Sequence, residues 1–392
     1  MPKMAKNKKV CILSFSQIAR DSRILREIEL ARQHFLVDVI GYGDWQPPAG
    51  VNFIQVPRNH RSLWFLVRYF SLLVLGRFFS RFYESAFWLK AEYAVANRLI
   101  AENHYDLIHA NDWDALPVAV QGNQNKQTKV LFDAHEFSPE QESDKLVWRM
   151  SVKLYKTFLL KRNITKADKV ITVSSGIAAL YKKRFQVDCD LVMNARHYEK
   201  VAFKPAGEMI NLVHHGFSNP GRQLEKMIQI IPLLDPRYVL NLMLVAGQNE
   251  RYLDKLKEFA LKIAHGRVKF VDPVSPDAIL SAINQFDLGI PFLSAPNLNI
   301  LYSLPNKFFD FIMAGLGVVV PPLPSMVQVV NQYAIGQVAA SQSPEDMAAL
   351  LNSLTADDIN RFKRNSLELA KTFNAENEMK KLLHIYQELL AE

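Results

Sequence analysis

The sequence predicts an α/β protein made of two doubly wound, Rossmann-like domains in tandem, and three observations lead to this fold class. Short runs of β-branched and aliphatic residues alternate with helical stretches along most of the 392 residues, which is typical of parallel sheets covered on both faces. The alternation stops at a polar stretch, residues 197–209, and then begins again. The length also favours two domains, because a domain usually has about 100–200 residues.

The individual strands follow from the apolar runs, which occur in both halves of the chain. The predicted strands are residues 10–15, 37–41, 107–109, 130–132 and 170–173 in the first half, and 210–214, 240–246, 268–271, 288–290 and 317–320 in the second. Residues 357–390 predict two helices with Asn374 as a cap between them. We therefore place the domains at 1–205 and 206–372, and we expect residues 373–392 to form a helix that packs back toward the first domain.

Composition and charge exclude several classes of protein. Two cysteines cannot form a disulfide framework, and no apolar stretch reaches the ~20 residues of a spanning helix, so we expect a cytoplasmic location. Residues 1–205 contain 31 Lys and Arg against 20 Asp and Glu, a net charge of +11. Because the whole chain has a net charge of +8, residues 206–392 carry a net charge of −3. The basic half suggests an anionic partner, but we expect no nucleic acid, because no recognition motif for it is present.

The stretch from Ser303 to Val320 holds the most informative residues. Pro305 ahead of a predicted helix leaves Lys307 beside the first backbone N–H groups, and a helix start with an adjacent lysine is a ready anion site. Asp310 lies three residues on, on the same helical face, where it could accept hydrogen bonds from ribose hydroxyls. The alternative is an ordinary exposed ion pair between Lys307 and Asp310.

This stretch and the layout of the whole chain resemble glycosyltransferase family 4, whose members have the GT-B fold of two Rossmann-like domains facing an interdomain cleft. Members commonly carry Glu-x7-Glu followed by a run similar to Ala-x-Gly-x-Pro-Val-Val. Residues 314–319 match that run with Gly317 in the proline place, Asp310 takes the second glutamate position, and Tyr302 stands at the first. The resemblance implies sugar transfer from a UDP- or GDP-linked donor to an acceptor hydroxyl, with retention and without a metal or other cofactor, in cell-surface polysaccharide or glycolipid biosynthesis.

The resemblance also implies a donor-binding set in the second domain. Arg222, after the glycine-containing loop at Gly216, would grip the donor phosphates together with Lys307, although an ordinary loop arginine is the alternative. Asp310 would hold the ribose, and Tyr302 stands where the family acid contacts the donor sugar. The donor set implied in this way is Gly216, Arg222, Gly247, Val274, Asn299, Tyr302, Asn306, Lys307 and Asp310.

Polar residues at two strand ends of the first domain predict the acceptor side. His135 follows a predicted strand and could hydrogen-bond a sugar hydroxyl, or it could be a structural histidine. The acceptor set is His109, Asp112, His135 and Glu136, and the catalytic set implied by the resemblance is His135, Arg222, Lys307 and Asp310. Asp112-Trp-Asp114 is similar to a metal-binding Asp-x-Asp motif, but it lies in the other domain from the predicted phosphate groups, so we expect no metal.

Residues 58–90 combine aromatic side chains with Arg61, Arg68, Arg77 and Arg81, which is the composition of an anchor to an anionic membrane surface. Two short helices or a buried core helix are the alternatives. A glycan or lipid-linked acceptor and peripheral binding to the inner face of the membrane are therefore expectations. Because Tyr302 replaces an acid, a catalytically inactive nucleotide-sugar or glycan-binding partner subunit is the alternative function. A nucleotide-sugar epimerase shares the fold, but we identify no set of acid/base carboxylates for it.

Overall fold

The computed structural model describes residues 8–58, 62–123, 127–247, 250–291, 295 and 297–391. The chain forms two compact units. The first comprises Met1–Val192, Asn297–Asn299 and Met379–Glu392, and the second comprises Met193–Pro296 and Ile300–Glu378. The main division therefore falls before the predicted boundary at 205, and the C-terminal residues are grouped with the first unit.

The first unit contains a parallel sheet whose described strands lie in the order β3-β2-β1-β4-β5-β6-β7. These strands are β1 (Lys9–Gln17), β2 (Leu36–Tyr42), β3 (Val51–Gln55), β4 (Leu107–Asn111), β5 (Lys129–Asp133), β6 (Lys169–Thr172) and β7 (Asp190–Leu191). The order reverses direction between β1 and β4. In doubly wound sheets, ligands bind beyond the strand carboxyl ends at such a switch point.

Helices lie between these strands along the chain. They are α1 (Ser22–His34), α2 (Leu63–Gly76), α3 (Arg81–Trp88), α4 (Ala91–Glu102), α5 (Asp112–Gly122), α6 (Lys153–Asn163) and α7 (Ser175–Phe185). All of them except α2 bury an apolar face. Helix α1 begins where the Asp21 side chain accepts hydrogen bonds from the Arg23 and Ile24 amides. Buried residues Ile24 and Ile28 then pack in one core cluster with β1 and with Tyr386 near the C-terminus.

The second unit contains a second parallel sheet, with strands in the order β10-β9-β8-β11-β12-β13. These are β8 (Ile210–Ser218), β9 (Tyr238–Ala246), β10 (Val268–Val271), β11 (Leu288–Gly289), β12 (Gly317–Val320) and β13 (Gly336–Val338). Its switch point lies between β8 and β11. Two apolar clusters form the core of this unit. One includes Leu212 and Leu240, and the other includes Val213 and Val318.

The remaining helices follow the second set of strands. They are α8 (Glu225–Ile230), α9 (Glu250–Ile263), α10 (Ile279–Ile283), α11 (Leu298–Tyr302), α12 (Asn306–Met313), α13 (Pro324–Tyr333), α14 (Pro344–Ser353), α15 (Ala356–Ala370) and α16 (Ala375–Ala391). The Asn374 side chain accepts a hydrogen bond from the Asn377 amide at the start of α16, which confirms the predicted cap. Within the described residues, no helix is both long and apolar enough to cross a membrane.

Every predicted strand is present, so the predicted α/β class is confirmed. Three further strands, β3, β7 and β13, were not predicted. They lie at the sheet margins and are only partly buried, with both residues of β7 exposed, so no continuous apolar run marks them.

Candidate functional site

The first group of candidate residues lies at the carboxyl end of β8, at the switch point of the second sheet. Gly216 has a φ of +126°, which side-chain-bearing residues rarely adopt. A β-carbon built there would lie 3.3 Å from Lys307 Nζ. Glycine therefore serves two needs at this position: it permits the backbone turn and leaves room for the lysine.

Lys307 is held by a histidine that sequence reasoning had not selected. Its Nζ lies 3.0 Å from His214 Nε2, and His214 Nδ1 lies 2.8 Å from the Ile290 carbonyl oxygen. Burial and the nearby charge of Arg222 lower the pKa of Lys307 well below its usual value. Lys307 and Arg222 thus form a pair of basic groups near the strand end, an arrangement suited to a multiply charged anion, which favours the protonated lysine.

Asp310 is not part of an exposed pair with Lys307. Its carboxylate is buried and accepts a hydrogen bond of 2.8 Å from Arg196 Nη1, while its second oxygen lies 3.3 Å from His215 Nε2. Burial raises the pKa of Asp310, and Arg196 offsets part of that rise. Arg196, which also donates to the Pro276 carbonyl, was not predicted from the sequence.

The other predicted donor residues of the second unit lie at several different positions. Gly247 follows β9, and a β-carbon there would lie 2.5 Å from the Ser218 carbonyl oxygen, so close backbone packing already requires a glycine. Val274 is exposed in the segment after β10. Asn306 accepts a hydrogen bond from Asn194 at the start of α12, and the Tyr302 carbonyl accepts one from Ser325.

Asn299 differs from its predicted donor-binding role. It belongs to the first unit, it is buried, and its Oδ1 accepts a hydrogen bond of 2.8 Å from the Phe137 amide. Its Nδ2 lies 3.5 Å from Glu136 Oε2. The side chain therefore holds the segment that follows His135 in place.

The second group of candidate residues lies at the carboxyl ends of β4 and β5 in the first unit. Asp112 and His135 follow these neighbouring strands, and both have left-handed backbones, with φ of 68° and 45°. Their side chains meet, with His135 Nδ1 3.3 Å from Asp112 Oδ1. Strained non-glycine residues cost of order 1–3 kcal/mol each and cluster at functional sites. Two of them in contact at a strand edge mark this position as a candidate site.

His135 lies between two carboxylates. Its Nε2 is 3.4 Å from Asp133 Oδ2 and its backbone N–H donates to Asp133 Oδ1. Burial alone would lower the pKa of His135, but the charges of Asp133 and Asp112 outweigh burial and raise that pKa well above its usual value. The raised pKa favours the imidazolium, which pairs with both carboxylates and has no free lone pair with which to act as a general base.

Asp133 also belongs to a buried ion cluster. Arg23 Nε donates to Asp133 Oδ2 at 2.7 Å, and the same guanidinium lies 3.2 Å from Glu27 Oε1. Arg23 Nη1 also donates to the Val192 carbonyl. Burial and the Asp133 charge raise the pKa of Glu27 to about 8, so the cluster near neutral pH holds one paired carboxylate and one largely protonated one.

His109 and Glu136 do not join the acceptor group as predicted. The His109 side chain has no exposed surface, and its Nδ1 lies 2.7 Å from the Tyr386 hydroxyl, so it cannot contact a ligand directly. Burial lowers the pKa of His109 to about 3, which keeps it neutral. Glu136 is exposed and accepts a hydrogen bond from Gln141. Interior packing takes precedence over the strand-end position in the case of His109.

The carboxylates of this unit have partners other than a metal ion. Asp112 contacts His135, whereas Asp114 accepts a hydrogen bond from the Tyr93 hydroxyl at 2.9 Å, so the two acids of the Asp-x-Asp stretch face different groups. Among the described residues, Glu27, His109 and Asp133 bring ligand-type atoms within 4.8 Å of one another. The Arg23 guanidinium pairs with both of those carboxylates and supplies the positive charge.

A cavity of about 410 Å³ lies at the same edge of the first sheet. It is bordered by the carboxyl ends of β1 and β2 and by the residues that follow β3. Its polar lining includes Gln17, Tyr42, Gln55 and Arg58. Amide, hydroxyl and guanidinium groups are the kinds of side chain that bind a polyhydroxylated ligand.

Comparison with known proteins agrees with this architecture. Residues 28–193 match the sequence model of Glycosyltransferase Family 4, and no curated protein sequence matches the chain. Among solved structures, sucrose-phosphate synthase from Thermosynechococcus elongatus has a TM-score of 0.73 at 14% identity, over 98% of this chain and 100% of that one. HepE from Anabaena, in complex with UDP and glucose, has a TM-score of 0.69 at 14% identity, over 97% and 100%.

A glycosyltransferase from Rickettsia africae is similar as well, with a TM-score of 0.67 at 12% identity over 98% of this chain and 99% of that one. The fold match extends over nearly the whole chain, and the family match covers residues 28–193. The chain therefore has the GT-B fold, and its residues 28–193 match the model of Glycosyltransferase Family 4, as the sequence predicted.

Proposed function

We propose that the protein transfers a sugar from a UDP- or GDP-linked donor to a hydroxyl of a glycan or lipid-linked acceptor, with retention at the anomeric carbon and without a metal ion. The second unit binds the donor and the first unit binds the acceptor. The observation that carries the donor assignment is the position of Lys307, fixed by His214 beside Gly216 at the switch point of the second sheet. HepE, similar in fold, has been solved with UDP-glucose, which favours a uridine donor.

The charge that develops on the leaving diphosphate explains why cations are needed at the donor site. When the bond between the sugar and the diphosphate breaks, negative charge accumulates on the leaving oxygen. Lys307 and Arg222 lie near enough for the arginine to lower the pKa of the lysine, so both act on one anion. Fixed charges aimed at developing charge lower the barrier without reorganisation. Two protein cations at the diphosphate perform the role that a metal ion plays in other transferases.

Asp310 binds the donor ribose while it keeps its protein partners. Its carboxylate is paired with Arg196 and His215 in this structure. A carboxylate has four lone-pair directions, so a ribose hydroxyl donates to the directions that these two partners leave open. Arg196 keeps the carboxylate in place and offsets part of its burial.

The acceptor side uses His135 as a fixed positive charge. Held as a cation between Asp112 and Asp133, it keeps the Asp112 carboxylate in place beside the acceptor. Asp112 is about one-third exposed and accepts a hydrogen bond from the attacking hydroxyl. Attack from the face that the diphosphate leaves gives the retained anomer.

An exposed apolar surface on the first unit supports peripheral membrane binding from the cytoplasmic side, in cell-surface polysaccharide or glycolipid synthesis. The described residues 62–90 form two helices, α2 and α3, rather than one, and α2 is not a core helix: Trp64 is 82% exposed and Phe70 is 50% exposed. Residues 146–154 add to the apolar surface, with Val147 72% exposed, and Tyr69 of α2 packs against Tyr155. Exposed apolar patches of this kind mark interaction sites.

Basic residues accompany this surface. Arg68, Arg77 and Arg81 are exposed, and so are Lys145 and Arg149 in the second segment; Arg61 lies outside the described residues. Each basic residue near an anionic surface contributes about 1 kcal/mol to binding. Apolar insertion with a basic margin is the pattern of a monotopic anchor.

Sedimentation with vesicles tests the membrane proposal. Wild type should pellet with vesicles that contain anionic lipid, and less with neutral ones. Replacing Trp64 and Phe70 by Ser should reduce pelleting, whereas Leu261→Ser, which removes an equally exposed side chain from α9 in the second unit, should not. Equal pelleting of all three proteins, or of none, would contradict the proposal.

Titration calorimetry with UDP, GDP, ADP and CMP tests the donor proposal. We expect selective binding to one nucleoside diphosphate by wild type, and loss of most of that affinity in Lys307→Ala. Lys226→Ala, a matched change on α8, should bind like wild type. If wild type binds none of these nucleotides, the donor site is wrongly assigned.

A further inference from the structure

We propose that His214 is a positioning residue for the transfer reaction: its imidazole accepts a hydrogen bond from Lys307 and thereby holds the ammonium group where the donor diphosphate binds. This inference rests on the proposed function, in which Lys307 binds a donor phosphate. His214 has no exposed surface, so it acts through the lysine and does not touch the ligand.

The hydrogen bonds of His214 determine its tautomer. Its Nδ1 lies 2.8 Å from the Ile290 carbonyl oxygen, which can only accept a hydrogen bond, so Nδ1 carries the proton. In a neutral imidazole, Nε2 is then an acceptor, and Lys307 Nζ lies 3.0 Å from it. The Ile290 carbonyl therefore selects the form of the ring that can receive the lysine.

The environment keeps the ring in that neutral form. Burial and the charge of Lys307 lower the pKa of His214 well below its usual value, and His215 and Arg222 act in the same direction. The carbonyl of Ile290 only partly offsets them. His214 is therefore neutral throughout the physiological range, and the bond to Lys307 persists across it.

Positioning matters here because a lysine side chain is flexible. Its four-carbon stem has many rotamers, and a lysine that must be ordered by its ligand binds that ligand less tightly. Lys307 Nζ lies 3.0 Å from His214 Nε2, and a β-carbon at Gly216 would lie 3.3 Å from the same nitrogen. The terminal nitrogen of the lysine is thereby held in place before the donor arrives.

A matched pair of substitutions separates positioning from packing. In His214→Gln, the amide oxygen replaces Nε2 as an acceptor, whereas His214→Met has a similar length and no comparable acceptor. Affinities for UDP and UMP, and for GDP and GMP, should be measured by calorimetry for wild type and both variants. The same titrations in Lys307→Met and in the His214→Met/Lys307→Met double variant complete a cycle.

We expect His214→Met to weaken diphosphate binding about tenfold, the factor that one hydrogen bond to a charged group commonly supplies. Monophosphate binding should change little, His214→Gln should keep most of the wild-type affinity, and His214→Met should cause no further loss in the Lys307→Met background. Equal weakening of diphosphate and monophosphate, or equal effects of Gln and Met, would overturn the positioning role. If wild type binds no nucleotide, the proposed function itself fails, and this inference fails with it.

A measurement on folded wild type keeps the test decisive if a His214 variant does not fold. Nitrogen-15 NMR distinguishes the two neutral tautomers of histidine. The Nδ1–H tautomer is expected for His214, with its Nε2 resonance shifted in Lys307→Met. An Nε2–H tautomer, or an Nε2 resonance unaffected by removing the lysine amine, would overturn the proposal.

Discussion

Replacing Arg23 by Met should destabilise the protein strongly, because its guanidinium is the cation that pairs with two buried acids. Arg23 is 3% exposed, and Asp133 and Glu27 have no exposed surface. Burial and the Arg23 charge act in opposite directions on Asp133, and together with His135 the arginine keeps its pKa well below the usual value. Methionine fills a similar volume but leaves the Asp133 charge without this partner.

The expected magnitude follows from the burial of the pair. Removing one member of a buried ion pair usually costs about 3–5 kcal/mol, a large share of the 5–15 kcal/mol that stabilises a typical domain. Arg32 on the same helix forms a similarly close pair with Glu29, at 2.6 Å, but water reaches both side chains. Its replacement by Met should cost less than about 1 kcal/mol.

Denaturant unfolding at pH 7, followed by a signal from the first unit, measures both changes. The double variant Arg23→Met/Asp133→Asn should recover part of the loss, because the unpaired charge is then absent. A free energy of unfolding for Arg23→Met within about 1 kcal/mol of that for Arg32→Met would refute the idea that Arg23 stabilises this site.

Three further predictions follow from the two sites. The folded protein holds a proton on Glu27 up to about pH 8, so wild type should lose stability between about pH 4.5 and pH 8. Denaturation at several pH values measures this loss, and Glu27→Gln, which lacks the carboxyl group, should lose less stability over the same range. Gly216→Ala should cost about 1–3 kcal/mol of stability and weaken UDP binding in calorimetry, because both the positive φ and the 3.3 Å approach to Lys307 oppose a side chain there. The control Gly221→Ala changes a glycine with a normal φ and should have neither effect. Burial and Arg222 lower the pKa of Lys307, and Asp310 opposes them, so diphosphate binding should take up a proton and weaken as pH rises. Calorimetry in buffers of different ionisation enthalpy detects this proton uptake. A binding enthalpy that is the same in every buffer would contradict the prediction.

Most of the fold could be predicted from local patterns. Continuous apolar runs mark the central strands, and the polar stretch before Ile210 marks where the second set begins. The margin strands could not be predicted in this way, because β7 has two exposed residues and carries no apolar pattern. The exposure of α2 could not be predicted either, because an apolar helix has the same sequence pattern whether it faces a core or water.

The site was predicted only in part, because its contacts join distant residues. The helix start at Lys307 could be recognised, yet its partner His214 lies 93 residues away in the sequence. Arg196 and Asp310 are 114 residues apart, and Arg23 and Asp133 are 110 apart. No spacing rule connects such pairs. A buried arginine at the start of a helix differs in no visible way from an exposed one until the sheet is assembled.

A crystal structure of the protein with UDP would test the central claim most directly. The account predicts a β-phosphate oxygen within about 3 Å of Lys307 Nζ, the distance of a charged hydrogen bond, with the Arg222 guanidinium on the same diphosphate and the phosphates above Gly216. A diphosphate bound at the edge of the first sheet, or bound in the second unit without either cation, would contradict it.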